Sequence, residues 1–254
     1  MSRLGIALFG VGRIGQVHLE NLVFSNKVDI RWLVDVKEVH PGIQTASQQL
    51  RLGDETHITT PDDIDKVLSD KRVDVVLVCT ITPTHEEIIR KALNAGKHVF
   101  CEKPLALTLE AVKKCYEEAE KCKKVLFCGL NRRFHDQLFA IYTKVKQGDL
   151  GQVRIVRMTS RDQHPPKNYL QNNRGGILFD MGIHDLDYIC WLIGKRPLSV
   201  SAFGATSPES PDDYRELNEN DSAVAILKFP DNIIAYCEVT HGSCYGYEQT
   251  VEPV

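Results

Sequence analysis

Short apolar runs alternate with longer amphipathic stretches along the first half of the chain. The apolar runs predict strands at residues 4–9, 28–34, 73–79, 98–101 and 125–129. The amphipathic stretches predict helices at residues 14–24, 45–52, 62–69, 85–95 and 109–122, and Thr108 is the predicted N-cap of the last one. Nearly every strand position is apolar, as expected when helices cover both faces of a sheet. This alternation predicts βαβ units and a doubly wound parallel sheet.

The pattern changes after Gly129, where longer runs alternate apolar and polar residues. These runs predict strands at residues 153–161, 198–206, 223–229 and 233–240. Apolar residues at helical spacing cover 176–192, and the polar stretch 207–220 is predicted to be a solvated loop. Alternating strands favour a largely antiparallel sheet with one exposed face. The predicted fold is therefore an α/β domain at residues 1–125, followed by an α+β domain at residues 126–254.

Composition argues against several classes of partner. The formal net charge is −3 and charged residues make up 26% of the chain, so we expect no basic surface for nucleic acid or an anionic membrane. No apolar stretch reaches the roughly 18 residues that a membrane span needs, and the N-terminus lacks the pattern of a secretory signal. The eight cysteines lack the paired spacing of a zinc site. We therefore expect a cytoplasmic protein with reduced thiols, no bound metal and a small-molecule ligand.

A glycine-rich segment joins the first predicted strand to the first predicted helix. Gly10, Gly12 and Gly15 form the pattern G-x-G-x-x-G, and Asp35 closes the next strand twenty residues after Gly15. In a Rossmann fold the first glycine permits a tight turn, the second lets the backbone approach a pyrophosphate, and the third lets the helix pack on the strand. Amide groups at the helix N-terminus then bind phosphate. The segment predicts a dinucleotide site, and a turn without functional meaning is the alternative.

The residue at the end of the second strand bears on the choice of cofactor. The carboxylate of Asp35 can accept hydrogen bonds from the ribose diol of adenosine, whereas it would repel a 2′-phosphate. Arg13 and Lys37 are close enough in the sequence to weaken that preference. The predicted cofactor is therefore NAD, with NADP as the less favoured alternative.

Two further segments carry candidate catalytic side chains. Lys103 lies just beyond the end of the fourth predicted strand and precedes Pro104, and ligands bind at the carboxyl ends of strands in open α/β sheets. Asp180 and His184 are four residues apart on a predicted helix, so both project from one face. A carboxylate orients a neighbouring imidazole, which can act as a base toward an alcohol near neutral pH. A solvated lysine and a core histidine are the structural alternatives.

Five motifs, taken in order and with their spacing, resemble the glucose-fructose oxidoreductase and inositol dehydrogenase family, known as Gfo/Idh/MocA. The motifs are GVGRIG at 10–15, TPTH at 82–85, EKP at 102–104, NRRF at 131–134 and GGILFDMGIH at 175–184. Within the family, inositol 2-dehydrogenases are the branch that the chain resembles most. The resemblance implies a NAD(H)-dependent oxidoreductase that acts on a polyol or a sugar.

The resemblance implies that Lys103, Asp180 and His184 form the catalytic set. His184 would accept the proton of a secondary alcohol while a hydride leaves its carbon for the nicotinamide. Lys103 would hold the same oxygen. Asp180 would position His184 and bind a neighbouring hydroxyl group.

The resemblance also implies two sets of binding residues. The cofactor set is Gly10, Gly12, Arg13, Ile14, Gly15, Asp35, Thr80, Pro83, His85, Glu102 and Lys103. The candidate substrate contacts are Asn131, Arg132, Arg161 and Tyr169, for which surface positions are the alternative. A helix-capping role is the alternative for His85.

Relatives in this family continue beyond the length of this chain, so we expect the second domain to lack part of its sheet and one wall of its substrate pocket. Such a chain would bind NAD(H) but oxidise polyols poorly or not at all. A non-catalytic NAD-binding sensor is the alternative from another class, and NAD-dependent glycoside hydrolysis or dihydrodiol oxidation are alternatives among enzymes. The resemblance also implies that subunits pair through the open face of the second-domain sheet. It leaves open which polyol or sugar is the substrate.

Overall fold

The chain divides into two compact units after Gly129 in a computed structural model that describes residues 3–50, 52, 53, 55–172 and 175–254. Each unit has its own sheet and its own hydrophobic core. None of the helices in these described ranges has both the length and the apolar character that crossing a membrane requires.

The first unit is built on a six-stranded parallel sheet with the strand order β3-β2-β1-β4-β5-β6. Its strands are β1 (Leu4–Phe9), β2 (Val28–Val34), β3 (His57–Thr59), β4 (Val75–Val78), β5 (His98–Cys101) and β6 (Leu126–Cys128). Its helices are α1 (Arg13–Val23), α2 (His40–Gln49), α3 (Ile64–Ser69), α4 (His85–Asn94) and α5 (Leu109–Cys122). The strand order reverses between β1 and β4, which places a topological switch point at their carboxyl ends.

Both faces of this sheet are buried. Ala7 and Phe9 of β1 belong to one hydrophobic cluster, while Ile6 and Leu8 belong to another. Because successive side chains of a strand point to opposite faces, helices cover both sides and the strand sequence reads as a continuous apolar run. This arrangement confirms the predicted α/β fold.

The second unit has a five-stranded mixed sheet with the order β11-β7-β10-β9-β8. Its strands are β7 (Ile155–Asp162), β8 (Ser199–Ala205), β9 (Ser222–Lys228), β10 (Ile234–His241) and β11 (Glu248–Pro253). Its helices are α6 (Asp136–Gln147), α7 (Lys167–Asn172), α8 (Ile183–Ile193) and α9 (Asp212–Leu217). The pairing of β7 with β10 is parallel and the other three pairings are antiparallel, which confirms a largely antiparallel sheet.

One face of the second sheet forms the core of its unit. Met158 of β7 and Cys237 of β10 are fully buried, and they share a cluster with Tyr188 and Ile189 of α8. The opposite face carries polar side chains such as Arg161. β7, β9 and β10 therefore have the alternation that the sequence predicted, whereas β8 is exposed at every position.

Several elements of the second unit differ from the sequence prediction. The predicted helix at 176–192 is a π-helical turn (Leu178–Gly182) that continues into α8. The stretch predicted to be a loop contains α9, whose first turn carries two aspartates that favour a helix N-terminus. The elements that the pattern did not predict are β3, α6, α7 and β11. Of these, β3 and α7 are short and β11 is mostly polar, so their hydrophobic patterns are weak.

Candidate active site

The glycine-rich segment at the end of β1 and the start of α1 leaves no room for side chains at two of its glycines. Gly10 has φ +84°, and a Cβ there would lie 2.6 Å from backbone atoms of Cys79 and Thr80. A Cβ on Gly15 would lie 2.0 Å from the carbonyl oxygen of Gly10. Both distances are well inside van der Waals contact, so the loop, the start of α1 and the end of β4 pack directly on one another.

Gly12 has the opposite environment. A Cβ at this position would meet no atom within 4 Å. Gly12 is also the N-cap of α1, whose first turn has no side-chain cap and no acidic residue. Arg13 and Ile14, which follow it, are exposed. The open backbone and the amide groups of the helix N-terminus therefore fit an anionic pyrophosphate, which such helix ends bind.

Asp35 is oriented by the same loop. One of its carboxylate oxygens accepts a hydrogen bond from the amide of Val11 at 2.7 Å, and the other accepts one from the amide of Val36 at 2.8 Å. A carboxylate has about four acceptor positions, and these two amides use one on each oxygen. The structure thus brings an acid from the end of β2 next to the glycine loop, as expected for a ribose-binding residue.

The turn after β4 is held by its own hydroxyl groups. Thr84 Oγ1 donates to the carbonyl of Ile81 at 2.8 Å, and it lies 2.7 Å from Thr80 Oγ1. Because the proton of Thr84 is used in this way, Thr80 is the donor between the two hydroxyl groups. Pro83 is exposed in this turn and lines an open groove between α3 and α4.

His85 begins α4, and its side chain is only 1% exposed. Its Nδ1 lies 2.9 Å from the carbonyl oxygen of Pro104, and its Nε2 lies 3.0 Å from the carbonyl oxygen of Thr80. Burial lowers the pKa of the imidazole, so the neutral form is favoured. The ring is therefore enclosed by backbone rather than directed to solvent, which differs from the cofactor contact that the sequence predicted.

Glu102 and Lys103 follow β5. Glu102 Oε1 lies 2.7 Å from His18 Nε2, and Glu102 Oε2 accepts a hydrogen bond from the amide of Lys103 at 3.2 Å. The ring of His18 also packs edge-to-face on Phe100. Sequence analysis missed His18. It lies one turn after Gly15, on the face of α1 that packs against the sheet, and that position is the signal that could have revealed it.

In the second unit, Asp180 lies in the π-helical turn and His184 in the first turn of α8. Tyr169 Oη donates to the carboxylate of Asp180, at 2.8 Å from Oδ1 and 3.0 Å from Oδ2. Asp180, His184 and Tyr169 are all partly buried. Two residues that the sequence assigned to different sets, one catalytic and one for substrate, are therefore in direct contact.

A narrow crevice opens beside Asp180 and Tyr169, and Glu219, Asn220 and His241 also line it. His241 is 7% exposed, and burial lowers the pKa of its imidazole. The crevice therefore presents carboxylate, hydroxyl, amide and imidazole groups. Its volume of about 10 Å³ has room for about one water molecule, so the crevice marks where these polar groups converge and is too small to enclose a polyol.

Behind this crevice lies a hydrogen-bonded chain that the sequence analysis missed. His241 Nδ1 lies 2.9 Å from the hydroxyl of Tyr214, which lies 3.3 Å from His164 Nδ1. Tyr214 is fully buried, and this burial raises the pKa of its hydroxyl group. The three residues come from distant parts of the sequence, and no local motif marks them.

The other predicted substrate contacts have different surroundings. Arg132 is 8% exposed, forms an ion pair with the buried Asp185 and donates to Ser160 Oγ at 3.0 Å. Since a buried charge must be paired, this environment indicates a role in the core rather than at a substrate. Asn131 is exposed at the start of a short helical turn.

Arg161 lies on the polar face of the second sheet. It contacts Glu238 at 2.7 Å, and Glu248 and the hydroxyl of Tyr245 at 2.8 Å each. These bonds raise the pKa of the guanidinium and link β7 to β10 and β11. Its contacts are those of a sheet-stabilising residue, in contrast to the substrate contact that the sequence predicted.

Comparison with known proteins matches both units to one family. Residues 4–130 match the model described as "Oxidoreductase family, NAD-binding Rossmann fold", and residues 140–252 match the "GFO/IDH/MocA C-terminal domain". A myo-inositol 2-dehydrogenase of Thermotoga maritima is 34% identical over 247 residues, which cover 97% of this chain and 71% of the relative. An inositol 2-dehydrogenase of Rhizobium meliloti is also 34% identical, and the match covers 96% of this chain and 71% of the length of that relative.

A solved structure gives a further comparison. The scyllo-inositol dehydrogenase of Lactobacillus casei, crystallised with bound NAD(H) and scyllo-inositol, matches with a TM-score of 0.87 and 26% identity over 100% of this chain and 74% of that one. The motifs, the fold of each unit and these similarities agree. The chain therefore belongs to the GFO/IDH/MocA oxidoreductase family, with an NAD-binding Rossmann domain followed by the C-terminal domain of that family.

Proposed function

We propose that the protein is an NAD-dependent dehydrogenase that transfers a hydride between a secondary alcohol of a cyclic polyol, such as an inositol, and the nicotinamide. The observation that carries this proposal is the contact of Tyr169 with Asp180, four residues before His184. This contact orients a carboxylate four residues before the candidate base, a spacing that favours projection of both side chains from one helix face. The names of the relatives agree with this substrate class.

The choice of NAD is supported by the surroundings of the glycine loop. Gly12 leaves open space beside the N-terminus of α1, which suits the pyrophosphate. The carboxylate of Asp35 is held at the edge of that loop, where it would accept hydrogen bonds from the adenosine ribose and repel a 2′-phosphate. NAD is therefore preferred over NADP.

Three side chains are proposed to act on the alcohol. When NAD is bound, its nicotinamide supplies the hydride acceptor. Lys103 donates a hydrogen bond to the alcohol oxygen and stabilises the partial negative charge that develops there. His184 accepts the hydroxyl proton as a general base. Asp180 orients His184 and binds an adjacent hydroxyl group, while Tyr169 fixes the carboxylate in position.

The test is a panel of polyols assayed for NADH formation with NAD as the acceptor. It includes myo-inositol, scyllo-inositol and acyclic polyols of the same carbon number. Turnover of a cyclic polyol would support the proposal over the poor oxidation that the sequence led us to expect. In that case Lys103→Ala and His184→Ala should each lower kcat by about 100-fold or more, since general bases and oxyanion donors each contribute that much. His184→Ala should bind NADH with an affinity close to that of the wild type, measured by quenching of protein fluorescence.

Two results would contradict the proposal. Normal NADH binding without turnover of any polyol would favour a non-catalytic NAD-binding protein. Turnover that His184→Ala leaves unchanged would show that another group accepts the proton.

A further inference from the structure

His85 lies between the two loops that carry Thr80 and Lys103. Its imidazole faces the carbonyl of Thr80, which follows β4, and the carbonyl of Pro104, which follows Lys103. These two contacts come from opposite nitrogens of one ring that is 1% exposed. A single side chain thus joins two loops that follow neighbouring strands.

The position of this ring matters because the backbone pairing ends just before it. β4 pairs with β5 as far as Val78 and Cys101. The amide of Glu102 adds one more bond, to the carbonyl of Val78 at 2.9 Å. Beyond Glu102, the contacts of His85 continue the connection between the two segments. Lys103 lies directly between the last backbone bond and the residue whose carbonyl faces the imidazole.

We propose that His85 is a positioning residue for Lys103, and that its Nδ1–H group, by donating to the carbonyl of Pro104, fixes the backbone that carries the lysine. This inference rests on the proposed function of Lys103 as the group that binds the alcohol oxygen. The neutral ring carries one N–H group, so only one of the two carbonyls receives a hydrogen bond at a time. The proposal assigns that hydrogen to Nδ1, which leaves Nε2 facing the carbonyl oxygen of Thr80 at 3.0 Å without a hydrogen bond between them.

The consequence for catalysis follows from the geometry of the lysine. A hydrogen-bond donor aids reaction only when it is held close to the productive position, and a displacement of about 1 Å costs up to about 100-fold in rate. Substitution of His85 would loosen the backbone on one side of Lys103. The amide of Lys103 would still be held by Glu102 on the other side. Hydride transfer should therefore slow while the glycine loop, which binds the pyrophosphate, stays unchanged.

Two conservative variants separate this role from simple packing. In His85→Asn the amide nitrogen can occupy the position of Nδ1 and donate to Pro104. In His85→Gln it can reach the position of Nε2 and donate to Thr80 instead. We expect His85→Asn to keep kcat within about threefold of the wild type and His85→Gln to lose about tenfold or more. A role in packing alone would predict the opposite order, because the smaller asparagine leaves the larger cavity at this buried position.

The experiment measures kcat, KM for the polyol and the primary deuterium isotope effect, with NADH affinity and thermal unfolding as controls. His85→Gln should lower kcat and raise the isotope effect on kcat, with NADH affinity within about threefold of the wild type. His98→Gln is the matched control, because His98 begins β5 at the end opposite Lys103 and its Nδ1 accepts a bond from Val125. That variant should leave kcat and the isotope effect unchanged.

A double-mutant cycle with Lys103→Ala gives the decisive comparison. If His85 acts through Lys103, then His85→Gln should have no further effect on kcat in a Lys103→Ala background. Equal kcat for the two His85 variants and the wild type, or losses that multiply in the double variant, would overturn the proposal. A wild-type protein that oxidises no polyol would overturn the proposed function, whereas an active wild type with unaffected His85 variants would overturn only the role of His85, so the two failures can be told apart.

Discussion

The candidate groups of the first unit and those of the second are held in place by different means. In the first unit the parts that fit a cofactor are backbone amides, glycines and strand ends, which the parallel sheet positions. In the second unit the candidate groups are side chains that other side chains hold in place. Tyr169 holds Asp180, and Tyr214 holds His241. The first kind of site is specified by a short stretch of sequence. The second depends on residues brought together by the fold.

The largest expected effect comes from adding a methyl group at Gly15. In Gly15→Ala this group would lie 2.0 Å from the carbonyl oxygen of Gly10, and overpacking of this kind costs about 1–3 kcal/mol of unfolding free energy. NADH binding should be lost with it. In Gly12→Ala the added methyl group meets nothing within 4 Å. That variant should keep its stability within about 0.5 kcal/mol while its NADH affinity falls about tenfold or more, because the methyl group blocks the pyrophosphate.

Urea unfolding and NADH titration of both variants test this contrast between steric packing and ligand access. A Gly12→Ala protein that loses stability but binds NADH normally would contradict the assignment of the two glycines.

A smaller effect is expected from Tyr169→Phe, which tests whether side-chain contacts set the site of the second unit. The variant removes the hydroxyl group that donates to Asp180. A hydrogen bond to a charged group contributes about 1.5–3 kcal/mol, so kcat/KM for the polyol should fall about 10- to 100-fold. NADH affinity should not change.

The matched control is Tyr236→Phe, since the hydroxyl of Tyr236 donates to Glu238 on the polar face of the sheet at 2.9 Å. Kinetics of the two variants, measured side by side, should differ. Equal losses would mean that Tyr169 acts only through the stability of the unit.

The smallest effect concerns the stability of the protein in acid. Each unit has a buried histidine that affects it, His85 in the first and His241 in the second. Burial lowers the pKa of His85 and of His241 below the ordinary value of 6.5. In the unfolded chain both rings therefore bind protons at a pH where the folded chain does not. The free energy of unfolding should then fall as the pH drops below about 6.5, by at most about 1.4 kcal/mol per histidine for each pH unit.

Urea unfolding at a series of pH values, for the wild type and His241→Gln, measures this slope. The variant should be less sensitive to acid, whereas His135→Gln, at an exposed position, should match the wild type. A slope unchanged in His241→Gln would show that other groups dominate acid unfolding.

The sequence predicted features whose cause is local. Thr108 was the predicted N-cap of α5, and its Oγ1 accepts a hydrogen bond from the amide of Ala111 at 3.2 Å. The glycine loop was predicted because strand, turn and helix follow one another within a dozen residues. In these cases the residue type and its immediate neighbours determine the geometry.

Features that depend on distant partners were not predictable in this way. Arg132 and Arg161 are both arginines of the second unit, yet one is buried against Asp185 and the other spans strands on the polar face. Their environments are determined by which residues the sheet places opposite them. Tyr214 was part of a stretch predicted to be a solvated loop, and it is fully buried. Its partner His241 is 27 residues away.

The parallel pairing of β7 with β10 explains how that buried chain of groups can exist. In this register Asp162 is opposite His241, so the two strands finish at the same edge of the sheet. His164 follows the first strand and His241 ends the second, and Tyr214 bridges them. Inserting one residue ahead of β10 would move His241 away from that edge and also exchange the core and solvent faces of the strand. A change in the length of the turn before β10 would therefore also displace His241 from the crevice. Exposed loop tips can vary in length without displacing it.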